Sequence, residues 1–280
     1  MRVKTALYNT TKRLVAVGVP SPDSDASWLL EVVMNASYSD LFLMSEQVLT
    51  PIQLEQLEGF VIRREAREPL QWIIGFTEFY GLKIETRVGV LIPRPETERL
   101  VELVLEDLPN APAKVVDIGT GTGAIALALK AERPKLEILA TDINVKALEL
   151  TRKNALTLKL KLETVQTSIL DGIDRMFDAI VSNPPYLPAS DDGKLDIEVQ
   201  LEPSEALFGG TDGLSLARMI VNAARETLND GGLLALELDP RNAATLAREL
   251  ELSIWQDVRL EADLVGRERF VLARRKLRHE

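Results

Sequence analysis

The chain has 280 residues, of which 46% are hydrophobic and 27% are charged, and its net charge is −10. These values indicate an ordinary globular protein with one large domain or two modest ones. Because there is no cysteine and the single histidine is His279, the sequence excludes disulfides, thiolate metal sites, catalytic triads and histidine-ligated zinc. The chemistry must therefore use carboxylates, amides, backbone groups, hydroxyls or a bound cofactor.

No apolar run approaches the roughly 20 residues that span a bilayer, and residues 1–20 lack the continuous apolar core of a secretory signal. We therefore expect a cytoplasmic protein without a membrane partner, which the absence of cysteine also fits. The acidic charge argues against a nucleic-acid partner, because such binding requires clustered Lys and Arg. One basic run, which we expect to be a solvated tail, comprises Arg274, Arg275, Lys276 and Arg278.

Residues 1–75 are predicted to form a small helical domain. The segment 50–53 (TPIQ) starts a helix, since it has a Thr cap, a Pro at the first helical position and a Gln three residues after the cap. Apolar residues follow at helical spacing, and Pro69 is expected to end that helix. Residues 28–34 (WLLEVVM) predict another amphipathic helix.

The sequence changes character after this helical region. Aromatic and β-branched residues with interspersed glycines in 72–92 predict a β-hairpin, and we expect 76–95 to link two domains. From Lys114 onward strand-like runs alternate with helical stretches, which predicts an α/β domain with a mainly parallel sheet. A terminal antiparallel hairpin is predicted in 257–275, with its turn at Gly266. The four clearest parallel strands are 114–118, 136–143, 177–183 and 231–238.

A glycine-rich loop follows the first of these strands. Residues 117–124 (DIGTGTGA) carry three glycines at alternate positions, which let the backbone turn tightly and approach a ligand. The helix predicted to begin at Ala124 offers amide donors and a positive dipole end. A nicotinamide dinucleotide and S-adenosylmethionine both fit such a loop, and Asp142, at the end of the second strand, suits the ribose of either. Asp142 also suits a purely structural role as the cap of the next helix.

The fourth strand ends in residues 182–186 (SNPPY). Ligands bind beyond the carboxyl ends of the strands in open α/β sheets, so this segment should face the cofactor. Two consecutive prolines make a rigid extended turn, to which Asn183 adds a carbonyl acceptor and Tyr186 a planar face. Such a frame suits a planar –NH2 group, whose nitrogen attacks a methyl donor only when it is held in line with it. A packed Pro-Pro turn without a ligand is the structural alternative.

Together these two motifs resemble those of the amino-group methyltransferases that use S-adenosylmethionine. Further stretches look like the HemK/PrmC-type peptide chain release factor glutamine N5-methyltransferases, and the resemblance covers about residues 25 to 270. Those stretches are 67–75 (REPLQWIIG), 79–82 (FYGL), 91–98 (LIPRPETE), 202–203, 206–207 and 212–213.

The resemblance implies a helical domain over 1–75 that helps to recognise the release factor, and a Rossmann-like methyltransferase domain over 96–280. It implies transfer of a methyl group from S-adenosylmethionine to the side-chain amide nitrogen of the glutamine in the GGQ motif of release factors, which modulates translation termination. We expect a monomer whose protein partner is the release factor, and we expect no metal.

The resemblance also assigns the site residues. The cofactor would be held by Gly119, Thr120, Gly121, Thr122, Gly123, Asp142, Ile169 and Asn183. The substrate glutamine would be held by Asn183, Pro184, Pro185 and Tyr186, of which Asn183, Pro184 and Tyr186 are the catalytic candidates. Residues 93–97 (PRPET) would lie by the cofactor cleft, although a linker turn in which Arg and Glu pair explains this segment equally well.

Two positions depart from the family pattern. Relatives usually place an acidic residue at Ser168 to meet the adenine amine, whereas Ser168 forms a weaker hydrogen bond and Ile169 is left to pack against the adenine face. Residues 237–242 (ELDPRN) replace a stretch that usually contains glycine and glutamine. These departures bear on cofactor affinity and loop detail.

Four other functions compete with this interpretation. A ribosomal protein L3 glutamine methyltransferase is similar in both domains, but usually departs from the RPETE sequence that stands intact at 94–98. A DNA adenine-N6 methyltransferase uses the same Asn-Pro-Pro-Tyr motif on a flipped base, but is expected to carry a basic recognition domain. A non-catalytic binding module conflicts with the intact motifs, and an NAD-dependent oxidoreductase leaves 183–186 unexplained.

Overall fold

The computed structural model describes residues 1–277. The chain divides into two compact units. The first unit comprises Met1–Phe76 together with Asp196–Leu201, and the second comprises Thr77–Leu195 together with the chain from Glu202 onward. The inclusion of Asp196–Leu201 in the first unit was not predicted from the sequence.

The helices, numbered in chain order, are α1 (Val3–Ala16), α2 (Pro22–Met34), α3 (Tyr38–Leu43), α4 (Pro51–Glu65), α5 (Leu70–Ile74), α6 (Thr97–Asp107), α7 (Ala124–Glu132), α8 (Val145–Leu158), α9 (Ile197–Gln200), α10 (Ser215–Thr227) and α11 (Ala243–Glu251). The strands are β1 (Phe76–Phe79), β2 (Leu82–Glu85), β3 (Lys114–Ile118), β4 (Glu137–Asp142), β5 (Glu163–Gln166), β6 (Phe177–Ser182), β7 (Leu228–Glu237), β8 (Trp255–Ala262) and β9 (Glu268–Arg275). Among the described residues, no helix is long and apolar enough to cross a membrane.

The start of α4 confirms the helix start predicted at 50–53. The Thr50 hydroxyl accepts from the amide of Gln53, while the Gln53 side chain accepts from the amide of Thr50. The predicted end at Pro69 is wrong, because α4 ends at Glu65 and Pro69 instead precedes α5. The chain leaves the helix early through Arg67, whose φ of 65° is incompatible with a continuing α-helix.

A buried ion cluster links three segments of the first unit. Arg64 of α4 is 4% exposed and donates to Asp25 of α2 at 2.7 Å and to Glu198 of α9 at 2.8 Å. Arg67 donates to both oxygens of Glu198 at 2.7 Å. Although burial favours the neutral acid, the hydrogen bonds from Arg67 and Arg64 lower the pKa of Glu198 to about 2. The cluster therefore explains why α9 belongs to the helical unit.

The predicted sheet is confirmed. Seven strands lie in the order β5-β4-β3-β6-β7-β9-β8, and all neighbouring pairs are parallel except β7–β9 and β8–β9. The terminal hairpin turns at Gly266, and β1 and β2 form the predicted hairpin as a separate two-stranded sheet. Residues 72–74, predicted as part of that hairpin, are helical instead and belong to α5.

The strand register brings the two sequence motifs to one edge. Ile118 at the end of β3 is paired with Thr141 of β4 and with Ser182 of β6. Consequently the glycine loop, Asp142 and Asn183 all leave the sheet at neighbouring points of its carboxyl edge. Helices cover both faces of the sheet over two apolar clusters, in which the interior strand residues are fully buried.

The basic run near the C-terminus is not the solvated tail that we expected. Arg274 and Arg275 lie on β9, because the strand continues to Arg275 beside β8. Arg275 is 7% exposed and donates to the carbonyl of Leu228 at 2.7 Å. Lys276 donates to the carbonyl of Ser253 at 3.1 Å. These side chains therefore hold the end of β9 against the start of β7 and the segment before β8, whereas Arg278 lies outside the described residues.

Candidate active site

A cavity of about 320 Å³ opens at the carboxyl edge of the sheet. Its lining comes from the glycine loop, from the ends of β4 and β6, and from the segment that precedes α6. The predicted site residues that line it are Gly119, Thr120, Gly121, Thr122, Asp142, Ile169, Asn183, Pro184 and Pro185, whereas Gly123 and Tyr186 do not. Ser168 also lines this cavity.

The glycines of the loop serve two different purposes. Gly119 has a φ of 71°, and a Cβ atom there would meet no heavy atom within 4 Å, so its backbone borders open space in the cavity. Gly123, which caps α7, has a φ of 85°, and its Cβ would lie 2.8 Å from the Thr151 methyl group. Gly119 therefore leaves room for a ligand, while Gly123 lets α7 approach α8.

Asp117 supports the loop from below. It is fully buried, and its carboxylate accepts from the Thr120 hydroxyl at 2.6 Å. Burial raises the pKa of Asp117 to about 7, against the opposing effect of the Thr120 hydrogen bond. The motif forms the predicted loop, but its acidic residue, Asp117, is buried under the loop and does not line the cavity.

Asp142 presents a fixed carboxylate to the cavity. It accepts from the amide of Gly121 at 2.9 Å and from the amide of Asn144 at 2.8 Å. Asn144, and not Asp142, is the cap of α8, since the Asn144 side chain accepts from the amide of Lys146. Burial raises the pKa of Asp142. The remaining lone pairs of this carboxylate suit the hydroxyl groups of a ligand.

Ile169 lines the cavity, and its backbone conformation is unusual. Its φ is 56°, a value that β-branched residues rarely adopt. Its carbonyl accepts from the hydroxyl of the buried Thr141 at 3.2 Å, which holds this conformation. The apolar side chain is therefore held at the cavity wall by the end of β4.

Asn183 is oriented by a side chain that the sequence did not single out. Its Nδ2 donates to the hydroxyl oxygen of Thr97 at 3.0 Å, and this leaves the carbonyl oxygen as an acceptor for the cavity. Thr97 is the first residue of α6 and also lines the cavity. Its only signal in the sequence was its place in the 93–97 segment.

Tyr186 packs behind the cavity. Its ring lies against the apolar cluster under α10 and α11, where burial and the nearby Glu237 raise the pKa of its hydroxyl. Its carbonyl accepts from Asn242 at 3.2 Å. Asn242 belongs to 237–242, the stretch that departs from the family pattern, so that stretch supports the Asn-Pro-Pro-Tyr turn.

Two glycines bring a second loop against the same turn. A Cβ atom at Gly209 would lie 2.3 Å from the carbonyl oxygen of Pro185, and one at Gly213 would lie 2.1 Å from that of Tyr186. The amide of Gly209 also donates to the carbonyl of Leu187 at 2.9 Å. The backbone of the 209–213 loop therefore packs directly against the backbone of the turn, and this close approach explains the glycines at 209 and 213.

The 93–97 segment lies at the cavity and also has a structural role. Pro93 and Arg94 line the cavity. Arg94 donates to Glu202 at 2.6 Å, and the other oxygen of Glu202 accepts from the amide of Ile92 at 3.1 Å. This ion pair joins the segment to the loop after α9. The linker-turn alternative, in which the Arg and Glu of the segment pair with each other, is therefore wrong.

Comparison with known proteins adds an independent observation. Residues 5–75 match the PrmC N-terminal domain family model, and residues 85–200 match the Methyltransferase small domain model. A methyltransferase structure from Pyrococcus furiosus superimposes with a TM-score of 0.54 at 20% identity, covering 70% of this chain and 90% of that one. That likeness shows the methyltransferase fold.

Two curated relatives are similar over nearly their whole length. The release factor glutamine methyltransferase of Deinococcus radiodurans is 45% identical, covering 98% of this chain and 99% of that protein. The protein of the same name from Coxiella burnetii is 37% identical over the same shares. The L3 and DNA adenine alternatives are not favoured by these relatives. The chain belongs to the release factor glutamine methyltransferase family.

Proposed function

We propose that this protein transfers a methyl group from S-adenosylmethionine to the side-chain amide nitrogen of the GGQ glutamine in a peptide chain release factor. The observation that carries the proposal is that Asn183 lines the same cavity as the glycine loop and Asp142 while its Nδ2 donates to Thr97, which leaves its carbonyl as the acceptor for a substrate. The same cavity would therefore hold both the substrate amide, at Asn183, and the nucleoside of the cofactor, at the glycine loop and Asp142.

The residues present fit S-adenosylmethionine. The backbone at Gly119 borders open space. The Asp142 carboxylate accepts from the amides of Asn144 and Gly121 at 2.8 and 2.9 Å, and its remaining lone pairs suit ribose hydroxyls. Ile169 offers an apolar surface and Ser168 a hydroxyl to the adenine. When bound, the cofactor supplies a methyl group on a positively charged sulfur.

The chain's own residues act on the substrate amide. The Asn183 carbonyl accepts one N–H of the glutamine, and the carbonyl of Pro184 is a second candidate acceptor on the same rigid turn. Fixing these hydrogens holds the nitrogen in one direction and supports the attacking geometry. The nitrogen gains a methyl group and loses one proton to water, so no histidine is needed. Tyr186 serves this turn through its packing.

The proposal extends to the rest of the chain. The helical unit recognises the release factor, which fits its match to the PrmC N-terminal domain over 5–75. The reaction takes place in the cytoplasm, where release factors act, and the enzyme works as a monomer.

The test uses the full chain with labelled S-adenosylmethionine and a purified release factor of the same organism. We expect label on one peptide, at the glutamine of the GGQ motif, identified by mass spectrometry. A release factor with that glutamine replaced by alanine is the control, and ribosomal protein L3 and adenine-containing DNA are offered in parallel. Label on L3 or DNA alone would contradict the proposal.

A further inference from the structure

The Asn183 amide has two ends of similar shape and opposite hydrogen-bonding character. Its Nδ2 donates to the Thr97 hydroxyl oxygen at 3.0 Å, so the carbonyl end remains for the cavity. Half a turn about the last side-chain bond would present the –NH2 end instead, which would oppose a glutamine –NH2 group with a second donor. Some neighbouring group must therefore fix the direction of this amide.

The hydroxyl hydrogen of Thr97 also needs an acceptor. It is 4% exposed, and because its oxygen accepts from Asn183, its O–H must donate to another acceptor. The acceptor beside it is Glu237, whose pKa the Thr97 hydroxyl lowers through a side-chain hydrogen bond. The two groups are neighbours without a formed hydrogen bond, since neither Glu237 oxygen has a hydrogen-bond partner among the described residues.

Glu237 is the last residue of β7 and is fully buried. Burial raises the pKa of Glu237 to about 7, against the lowering effects of Thr97 and of nearby cations. The nearest cation is Arg269 of β9, whose Nη1 is 3.8 Å from Oε1 and whose Nε pairs with Asp263 at 3.0 Å. The other titratable or charged groups that face Glu237 are Arg94, Glu96 and Tyr186.

The charge of Glu237 decides the direction of the whole chain of hydrogen bonds. A carboxylate only accepts, so Thr97 must donate to it and Asn183 must donate to Thr97. A protonated Glu237 can donate to Thr97, and Thr97 can then donate to the Asn183 carbonyl. The amide would turn, and its donor end would face the substrate.

We propose that Thr97 and Glu237 are positioning residues that fix the carbonyl end of Asn183 toward the reacting amide. This inference rests on the proposed methylation of a glutamine amide. It assigns a purpose to Glu237, a buried carboxylate that does not itself line the cavity, and to the first residue of α6.

The first test compares Thr97→Val with Thr97→Ser in the full-length enzyme, with a purified release factor and labelled S-adenosylmethionine. The valine keeps the shape but removes the hydroxyl, and we expect kcat to fall roughly tenfold to a hundredfold, by analogy with the loss of outer-shell groups that orient a metal ligand. The serine restores the hydroxyl and should recover most of that loss. The Kd for S-adenosylmethionine should change little in both variants.

The second test is the pH profile of kcat with and without the titrating carboxyl. We expect the wild-type kcat to rise with pH through about 7, since the ionised Glu237 is the active form, and we expect Glu237→Gln to lose this rise and to have a lower kcat. Saturating S-adenosylmethionine is required, because Asp117 in the glycine loop also has a pKa near 7. The same release factor in both assays cancels the titration of the substrate.

Two results would overturn the inference: a Thr97→Val enzyme with wild-type kcat, or a Thr97→Ser enzyme as slow as Thr97→Val, which would indicate packing alone. If Glu237→Gln does not fold, the comparison of Thr97→Val with Thr97→Ser still tests the inference. A wild-type enzyme that leaves the release factor glutamine unmethylated would instead refute the proposed function, so the two failures are distinguishable.

Discussion

Gly213 lies so close to the carbonyl oxygen of Tyr186 that a Cβ atom at position 213 would be 2.1 Å from it. No side chain fits this space, because the nearest obstructing atom is a backbone oxygen that cannot rotate away, and the Asn242 Nδ2 atom would also lie only 2.7 Å from the added Cβ. The loop that carries Gly213 thus fixes the height of the Asn-Pro-Pro-Tyr turn above the sheet.

We expect Gly213→Ala to displace this turn and to lower both activity and the melting temperature. Gly231→Ala is a matched control: its φ of 74° resembles the 76° of Gly213, but its Cβ would meet nothing within 4 Å. Both variants carry the backbone strain of a positive φ, so their difference measures the close approach. Methylation rate and thermal unfolding are the measurements, and equal losses in the two variants would contradict the role of Gly213.

Asn183→Ala should lower kcat by on the order of 100-fold or more, by analogy with removal of one group of an oxyanion hole. The acceptor acts most strongly as the substrate nitrogen becomes pyramidal, so its loss affects kcat and not only KM. Asn183→Asp keeps the size and adds a negative charge near the sulfonium. We expect it to turn over slowly while binding S-adenosylmethionine at least as tightly as the wild type.

Steady-state kinetics and calorimetry separate these effects. A normal kcat with a raised KM in Asn183→Ala would mean that Asn183 only anchors the substrate.

Asp142→Ala should weaken S-adenosylmethionine binding by roughly 1.5–3 kcal/mol, the range for hydrogen bonds to a charged group. The substitution also removes the acceptor of the Gly121 amide, which lies 2.9 Å from the carboxylate. Isothermal titration calorimetry measures the affinity, and circular dichroism checks that the variant is folded. Unchanged affinity in a folded variant would remove Asp142 from the site.

Glu198 should make folding stability depend on pH. Its pKa is lowered from 4.5 to about 2 in the folded protein, so its contribution is fully present above pH 4.5 and is lost as the pH falls toward 2. We therefore expect the difference in unfolding free energy between wild type and Glu198→Gln to shrink over that interval. Urea unfolding at several pH values measures it.

Glu163→Gln provides the control for that experiment. Glu163 also pairs with an arginine, Arg175, and its pKa is also lowered, but the pair is exposed and is expected to contribute little. A pH dependence as large for Glu163→Gln as for Glu198→Gln would contradict the importance of burial.

The sheet and the two main motifs could be predicted because their signals are local. Apolar runs such as 114–118 mark buried parallel strands, and the glycine loop and Asn183 follow two such strands. The edge strand β5 was not among the four clearest, because three of its four residues are polar and none of the four is buried. Position at the carboxyl edge then followed from the general geometry of parallel sheets.

The supporting residues could not be predicted, because their partners are distant in sequence. Asn183 and Thr97 are 86 positions apart, and Arg64 and Glu198 are 134 apart. Nothing near Glu237 in the sequence distinguishes a buried carboxylate from an exposed one, and its burial depends on the strands on either side of β7. Such pairs are known only once the chain is folded.

The late position of α9 in the chain affects when the ion cluster of the first unit can form during synthesis. Arg64 and Arg67 are synthesised long before Glu198, and all of Thr77–Leu195 must be made between them. During that interval Arg64 and Arg67 lack the carboxylate of Glu198, so the first unit lacks the ion pairs that α9 supplies in the finished chain. The N-terminal helices therefore reach their final stability only after most of the catalytic unit has been translated, which couples the maturation of two units that begin as separate stretches of chain.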